Sequence, residues 1–438
     1  MINANLIFIF FAGIAFLGFI LNALFDRIKV ASILPLMLIG LTVGPLLNLV
    51  AVGQSSIIPV LTPFITAIAI SFILFDVGLN MDFGNLAKVI GRTSFFTFSL
   101  VSATALLLTP AVLFIFRWGL LESLIFSLAI AGPSSVIVPT LMRVTKISKD
   151  LKTAMLYESI SSDIVTFMLP LVLIGFIGIS GASPFAVAST IFYDIFGSVI
   201  LGCLSAVFWL YILNRFPTYS RNYSWMLTIS MVVATYGLAQ ELALNGAITS
   251  FIFGLILANI GMLKSGIARN GAKNGFSKYI ASWGGIKHIK GYQSEIVFFV
   301  STFFFVYIGL LFNISQINYG TVISAILISV LILMTRYLFI PMIKGFMSKD
   351  DAALKADSSV ATFNVARGIT PAIIATVPLS LGIIIPYFLD QIFLIILITN
   401  IISTAGILLL YRPVTDKAGR DASGPGGAAP SGPKRSGA

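Results

Sequence analysis

Residues 129–170 read AIAGPSSVIVPTLMRVTKISKDLKTAMLYESISSDIVTFMLP. An apolar run is broken near its middle by Gly132, Pro133, Ser134 and Ser135, with Pro139 as a second expected break. A basic turn with Arg143, Lys146, Lys149 and Lys152 follows, and the next apolar run carries Glu158 and Asp163. Asp163 is eleven residues beyond Lys152. On a helix rising 1.5 Å per residue that is roughly 16 Å, near the middle of a bilayer core about 30 Å thick. A carboxylate at that depth is expensive and marks function by default. Irregular backbone at membrane depth is tolerated only where protein or a cavity satisfies it. A broken helix beside a midplane acid is the usual construction of ion-coupled transporters.

Composition agrees. The chain has 438 residues, 58% hydrophobic and 10% charged, and its mean hydropathy is +1.02. A soluble domain carries about 25% charge, so this reads as an all-α polytopic membrane protein. Residues 1–24 lack a basic leader and read as a first span rather than a cleaved signal. The single cysteine, Cys203, excludes an intrachain disulfide and a cysteine-built metal site. The net charge of +11 reflects where basic residues flank the membrane, not a nucleic-acid partner.

Apolar runs predict thirteen transmembrane helices, near 4–24, 30–48, 57–79, 93–115, 121–142, 153–179, 185–212, 223–240, 243–262, 294–312, 318–343, 358–380 and 385–411. With the N-terminus outside, one side collects Arg27, Lys29, Lys88, Arg92, the 143–152 cluster, Arg215, Arg221, the 262–293 loop and Lys344, Lys349 and Lys355, while the other holds only Arg117. Basic residues stay inside. The chain is therefore expected to be a multi-pass protein of the cell membrane with a cytoplasmic C-terminus. Loop 262–293 is expected to lie on the inner surface as an amphipathic helix, with the lone His288 as a solvated loop residue.

Polar residues inside the spans define the candidate site. Asp76 lies within the third span, near Asn80 and Asp82. Ser159 and Asp163, four apart, share a face. Glu158 and Asp163 lie about 140° apart around the helix and address different neighbours. Span eleven carries Arg336 at depth. Span twelve, VATFNVARGITPAIIATVPL, is broken by Arg367-Gly368 with Pro371 and Pro378. A buried arginine needs a partner, and depth selects Glu158 for Arg367. Each set of six spans, one to six and eight to thirteen, has its broken helix fifth, and the odd seventh span inverts the second set. Two inverted repeats with crossed discontinuous helices imply alternating access about a midplane site.

The stretches FILFDVGLNMD, AGPSSVIVPTLMRV, YESISSD, FIFGLILAN, FFFVYIGLLF and NVARGITPA, with the Arg336 helix, occur in this order across nearly all of 1–412. Together they resemble the monovalent cation:proton antiporter superfamily, closest to its archaeal and bacterial sodium/proton branch. The resemblance implies a membrane antiporter domain over 1–412. Its mobile core would be near 93–179 and 318–411, the remainder forming a scaffold that makes a homodimer. Residues 413–438, rich in Gly, Pro, Ser and Ala, read as a disordered cytoplasmic tail.

The family's essential aspartate falls on Asp163, preceded by Ser162 where relatives carry Asn or Asp. Its serine ligand falls on Ser159, its third-span acid on Asp76, and its structural glutamate and arginine on Glu158 and Arg367. A second acid near that arginine falls on Asn364. The Thr-Asp pair of the first broken helix falls on Ala131 and Gly132, so coordination there passes to Ser134 or Ser135, or to carbonyls and water. The implied mechanism is electroneutral exchange, with one monovalent cation, Na⁺ before K⁺ or Li⁺, competing with one proton for Asp163. Asp76 and Ser159 complete a metal-ion shell, and no cofactor is required. The sequence leaves open a cation channel or uniporter, an organic-anion carrier and a non-transporting sensor.

Overall fold

The computed structural model describes residues 12–21, 33–47, 57–81, 83–135, 137–143, 145, 147–177, 184–260, 285–314, 317–347, 349 and 351–410. The described chain is helical throughout, with no strand among the described residues. The first helices are α1 (Ala12–Leu21), α2 (Ile33–Leu41), α3 (Ile57–Asn80), α4 (Phe83–Phe116), α5 (Leu120–Ala129), α6 (Ile137–Arg143), α7 (Lys149–Ile174) and α8 (Pro184–Arg215). They are followed by α9 (Pro217–Glu241), α10 (Gly246–Ala258), α11 (Gly285–Leu311), α12 (Tyr319–Ile343), α13 (Asp351–Phe363), α14 (Ile369–Ser380) and α15 (Phe388–Leu410). Seven of these contain stretches long and apolar enough to cross a membrane: α3, α4, α7, α8, α11, α12 and α15. On α8, Phe192, Phe196, Ile200, Leu204 and Phe208 recur every four residues and are each more than half exposed. A continuous apolar stripe of that kind suits hydrocarbon rather than water.

Local chemistry explains the ends. Ser148 caps α7 by accepting from Leu151 N, Asn245 caps α10 through Ala247 N and Ile248 N, and Asn318 closes a capping box on α12 with Thr321. The runs expected at 121–142 and 358–380 are each two helices. Between α5 and α6 lie Gly132-Pro133, which cannot continue the backbone ladder; between α13 and α14 lies Arg367-Gly368. Pro139 is not the extra break expected of it. It occupies the first turn of α6, where a missing N–H leaves no bond unmade. Pro371 occupies the same position in α14.

Two groups of helices result. Helices α2, α3, α8, α9, α10 and α11 pack chiefly with one another, and so do α4, α5, α7, α12, α13, α14 and α15. The groups meet where α14 packs on α3 and α11 and where α7 meets α8. In the first group, α2 and α11 touch backbone to backbone: a Cβ on Gly40 would overlap Val306 O, and one on Gly309 would overlap Met37 O. The small residues of the second expected span therefore serve close packing. Of the amphipathic helix expected in loop 262–293, residues 262–284 lie outside the described residues and 285–293 form the start of α11. His288, expected in a loop, belongs to the backbone of α11, which begins nine residues before the expected span.

Candidate ion-binding site

The two interruptions cross at α7. Ser134 N donates to Ala366 O at 2.9 Å, joining the first break to the second. Ser134 then opens α6, its carbonyl accepting from Val138 N at 3.0 Å and its hydroxyl from Ile137 N at 3.4 Å. The second break is held from behind by α15. Asn400 Nδ2 donates to Arg367 O at 2.6 Å, Ser403 Oγ accepts from Val365 N at 3.2 Å, and the same hydroxyl donates to Phe363 O. Backbone groups freed by the breaks are thus bonded across the crossing rather than left bare.

Asp163, only 8% exposed, points into this crossing and touches both breaks. Ser135 N donates to its Oδ2 at 2.8 Å, and the Ser135 hydroxyl also bonds the carboxylate. Thr370 Oγ1 donates to its Oδ1 at 2.9 Å from the first turn of α14. Thr370 was not among the residues expected from the sequence. Its signal was present: a hydroxyl two residues past Gly368, just beyond the second break.

The other expected site residues are placed as follows. Ser162 Oγ donates to Pro133 O at 3.3 Å and to Ser159 O at 3.1 Å, so it ties α7 to the first break rather than facing Asp163. Ser159 turns its hydroxyl to Leu156 O at 2.9 Å within its own helix. Asp76 sits on α3 with its side chain bonded to Asn80. Its buried Oδ1 has no partner among the described residues, and no hydrogen bond there joins it to Asp163. Asn364 is fully buried; its Nδ2 meets Met155 Sδ at 3.6 Å and its Oδ1 has no partner among the described residues. Among the described residues no group of three or more His, Cys, Asp or Glu gathers as a resident metal site.

The expected Glu158–Arg367 pair is corrected. Glu158, fully buried, takes Arg336 of α12 instead, with Nη1 to Oε1 at 2.5 Å and Nη2 to Oε2 at 2.8 Å. This is the parallel fork that satisfies a buried carboxylate best. Arg336 Nε donates to Ala361 O at 2.5 Å, so the pair also ties α7 and α12 to α13. Arg367 turns the other way. Its Nε donates to Ile130 O at 2.6 Å and its Nη2 to Ala131 O at 3.2 Å, just past the C-terminal end of α5. Unpaired carbonyls carry partial negative charge at a helix C-terminus, and Arg367 compensates them without a carboxylate.

The profile of the family described as sodium/hydrogen exchanger, transmembrane, matches residues 12–410. The chain belongs to the sodium/hydrogen exchanger family. As an exchanger it is an integral membrane protein whose activity is cation–proton antiport. Two solved structures of a relative from Methanocaldococcus jannaschii have this fold. The sodium proton antiporter MjNhaP1 at pH 8 superposes with a TM-score of 0.66 at 17% identity, covering 92% of this chain and 97% of that one. A three-dimensional EM map of the same antiporter gives 0.63 at 17% identity, covering 94% and 100%. No curated protein sequence matches the chain.

In this exchanger the crossing is close enough to be tested by one methyl group. A Cβ on Gly368 would overlap the Ser134 hydroxyl, and one on Gly132 would lie 2.7 Å from Ser162 Cβ. Gly368→Ala is expected to lose about 1–3 kcal/mol and to lower the melting temperature in detergent. An unchanged melting temperature would show that the two breaks do not press together as described.

Proposed function

We propose that the protein is a secondary antiporter that exchanges one monovalent cation, preferentially Na⁺, for one proton, both cargoes competing for Asp163. The convergence of Ser135 from the first break and Thr370 from the second on that one carboxylate carries the reading. Donors from two independent broken helices stabilise a bare carboxylate away from water. They leave it poised to take either a proton or a hard cation that prefers oxygen. Asp163 supplies the charge. Ser159, one turn earlier on α7, Asp76 of α3, and Ser134 and Ser135 with the carbonyls of the breaks are the proposed neutral and acidic completion of the shell. Ser162 positions α7 against Pro133. Glu158 and Arg336 hold the core together without exchanging charge, and Asn364 lies beside them.

Alternating access is proposed as movement of one helix group against the other. The grouping of α4–α7 with α12–α15 supports a mobile core, and that of α2, α3 and α8–α11 supports a scaffold that forms a homodimer. Thirteen crossings are proposed, with each half-helix pair and each of α1, α2, α9 and α10 taken as one span beside the seven long ones. The position of each break within its half of the chain supports the inverted repeat, and the basic loops support an outside N-terminus in the cell membrane. For an organic-anion carrier, the mark expected against it was a Glu158–Arg367 pair. That pair is not formed: Arg367 turns Nε and Nη2 to the Ile130 and Ala131 carbonyls, and its Nη1 has no partner among the described residues.

Asp163 is proposed as the one carboxylate that trades a proton: both oxygens of Glu158 are bonded to Arg336, and Asp76 is assigned to the cation alone. Exchange is therefore expected to be electroneutral. The test uses proteoliposomes in which proton flux follows addition of Na⁺, K⁺ or Li⁺, and the cation gradient that stops the flux is found with and without a clamped potential. That null gradient should not move. A cycle carrying one extra charge would feel about 2.3 kcal/mol per 100 mV, and a moving null gradient would reject one-for-one exchange.

A further inference from the structure

We infer that cargo loads on Oδ1 of Asp163, and that Thr370 is the ligand from the second broken helix that turns from donor to acceptor when a cation arrives. The inference rests on the antiport reading of the same site. The two carboxylate oxygens are not equivalent. Oδ2 receives the backbone N–H of Ser135 at 2.8 Å, and a backbone N–H is only ever a donor. Its positive end stays beside Oδ2 in every state of the site and disfavours the cation or the proton there. Oδ1 receives the hydroxyl of Thr370 at 2.9 Å. A hydroxyl has one donor and two acceptor positions and rotates to suit. It donates to the bare carboxylate, accepts from the carboxylic acid, and turns its oxygen to a bound cation.

The surroundings favour this assignment. Thr370 is buried, and the only hydrogen bond its hydroxyl makes among the described residues is to Asp163. That separates it from the threonines and serines that bond back to their own helices, as Thr166 does to Ser162 O, Thr376 to Ile373 O and Ser159 to Leu156 O. It stands second in α14, so the carbonyls it would bond back to, those of Ala366 and Arg367, precede the helix and already accept from Ser134 N and Asn400 Nδ2. The hydroxyl is therefore not engaged in holding the helix and is free to turn. Ala131 and Gly132, in the first break, bring no side-chain oxygen of their own. Gly132 is also packed so closely on Ser162 that any side chain there would press on α7. The first break contributes the Ser135 hydroxyl to the carboxylate, and the oxygen that faces Oδ1 comes from the other broken helix.

Thr370→Val keeps the branched shape and removes the oxygen; Thr370→Ser keeps the oxygen. Both are reconstituted in proteoliposomes beside the wild type and Asp163→Asn, and the Na⁺ dependence of proton flux is measured. Thr370→Val should raise the Na⁺ KM about tenfold or more, as expected for losing one bond to a charged group. Its maximal rate at saturating Na⁺ should stay within about threefold of wild type. Thr370→Ser should restore the wild-type KM. A Na⁺ KM unchanged in Thr370→Val, or raised equally in Thr370→Ser, overturns the assignment while wild-type exchange and its loss in Asp163→Asn leave antiport standing. If Thr370→Val does not fold, a raised KM in Thr370→Ser overturns the inference and an unchanged one supports it. Absence of cation-driven proton flux in the wild type would remove the antiport reading itself.

Discussion

Asp163→Asn is expected to abolish cation-driven proton flux and leave the fold in place. The amide has the shape of the carboxylate. Its oxygen accepts from Ser135 N, and its NH₂ donates to the Thr370 hydroxyl, which reverses to receive it. The crossing therefore keeps its hydrogen bonds, and the stability change should stay within about 1 kcal/mol. What disappears is the exchangeable charge. An amide neither takes up a proton at working pH nor offers a negative charge to a cation, so neither half of the cycle can run. Flux should fall to that of empty liposomes with the melting temperature nearly unchanged. Exchange at the wild-type rate would mean that another carboxylate carries the cargo, and Asp76, with its unpartnered Oδ1, would be the first to examine.

The largest stability effect is expected at Glu158 and Arg336. Both are buried, and each is the other's charge partner through two bonds. Removing either leaves the remaining charge buried and uncompensated, which costs roughly 3–5 kcal/mol. Glu158→Ala and Arg336→Ala should each lower the melting temperature strongly. The double variant should be less damaged than the sum of the two, because no charge is then left alone. A parallel cycle separates this pair from the one expected by depth. Glu158→Ala combined with Arg367→Ala should couple more weakly, since Arg367 donates to the Ile130 and Ala131 carbonyls and meets Glu158 only through charge, with no hydrogen bond between them among the described residues. Strong coupling of Glu158 to Arg367, with none to Arg336, would overturn the described arrangement.

The helical membrane character of the chain was legible in its long apolar runs, and the sites of interruption were legible in Gly132-Pro133 and Arg367-Gly368. Those features act through backbone chemistry that is local to a few residues. The angle between Glu158 and Asp163 was also legible, because 3.6 residues per turn sends them to different neighbours. The identity of those neighbours was not. Arg336 and Arg367 both lie at depth, and choosing between them requires the rotation of α12 and the direction in which the second break turns. Depth along a helix carries neither. Thr370 was missed for a related reason. A threonine in an apolar run usually bonds back to its own helix, and only the crossing of α14 over α7 gives it a carboxylate. Pro139 shows the reverse error: proline ends a helix or begins one, and which applies depends on where the preceding segment has already broken.

The central claim is that a cation and a proton compete for one carboxylate. It is tested most directly by counting protons released when Na⁺ binds to the purified protein in weakly buffered detergent solution. At a pH where the cation-free site is protonated, one proton should be released per Na⁺ bound, and none from Asp163→Asn. Na⁺ binding without proton release, or release that persists in Asp163→Asn, would contradict it.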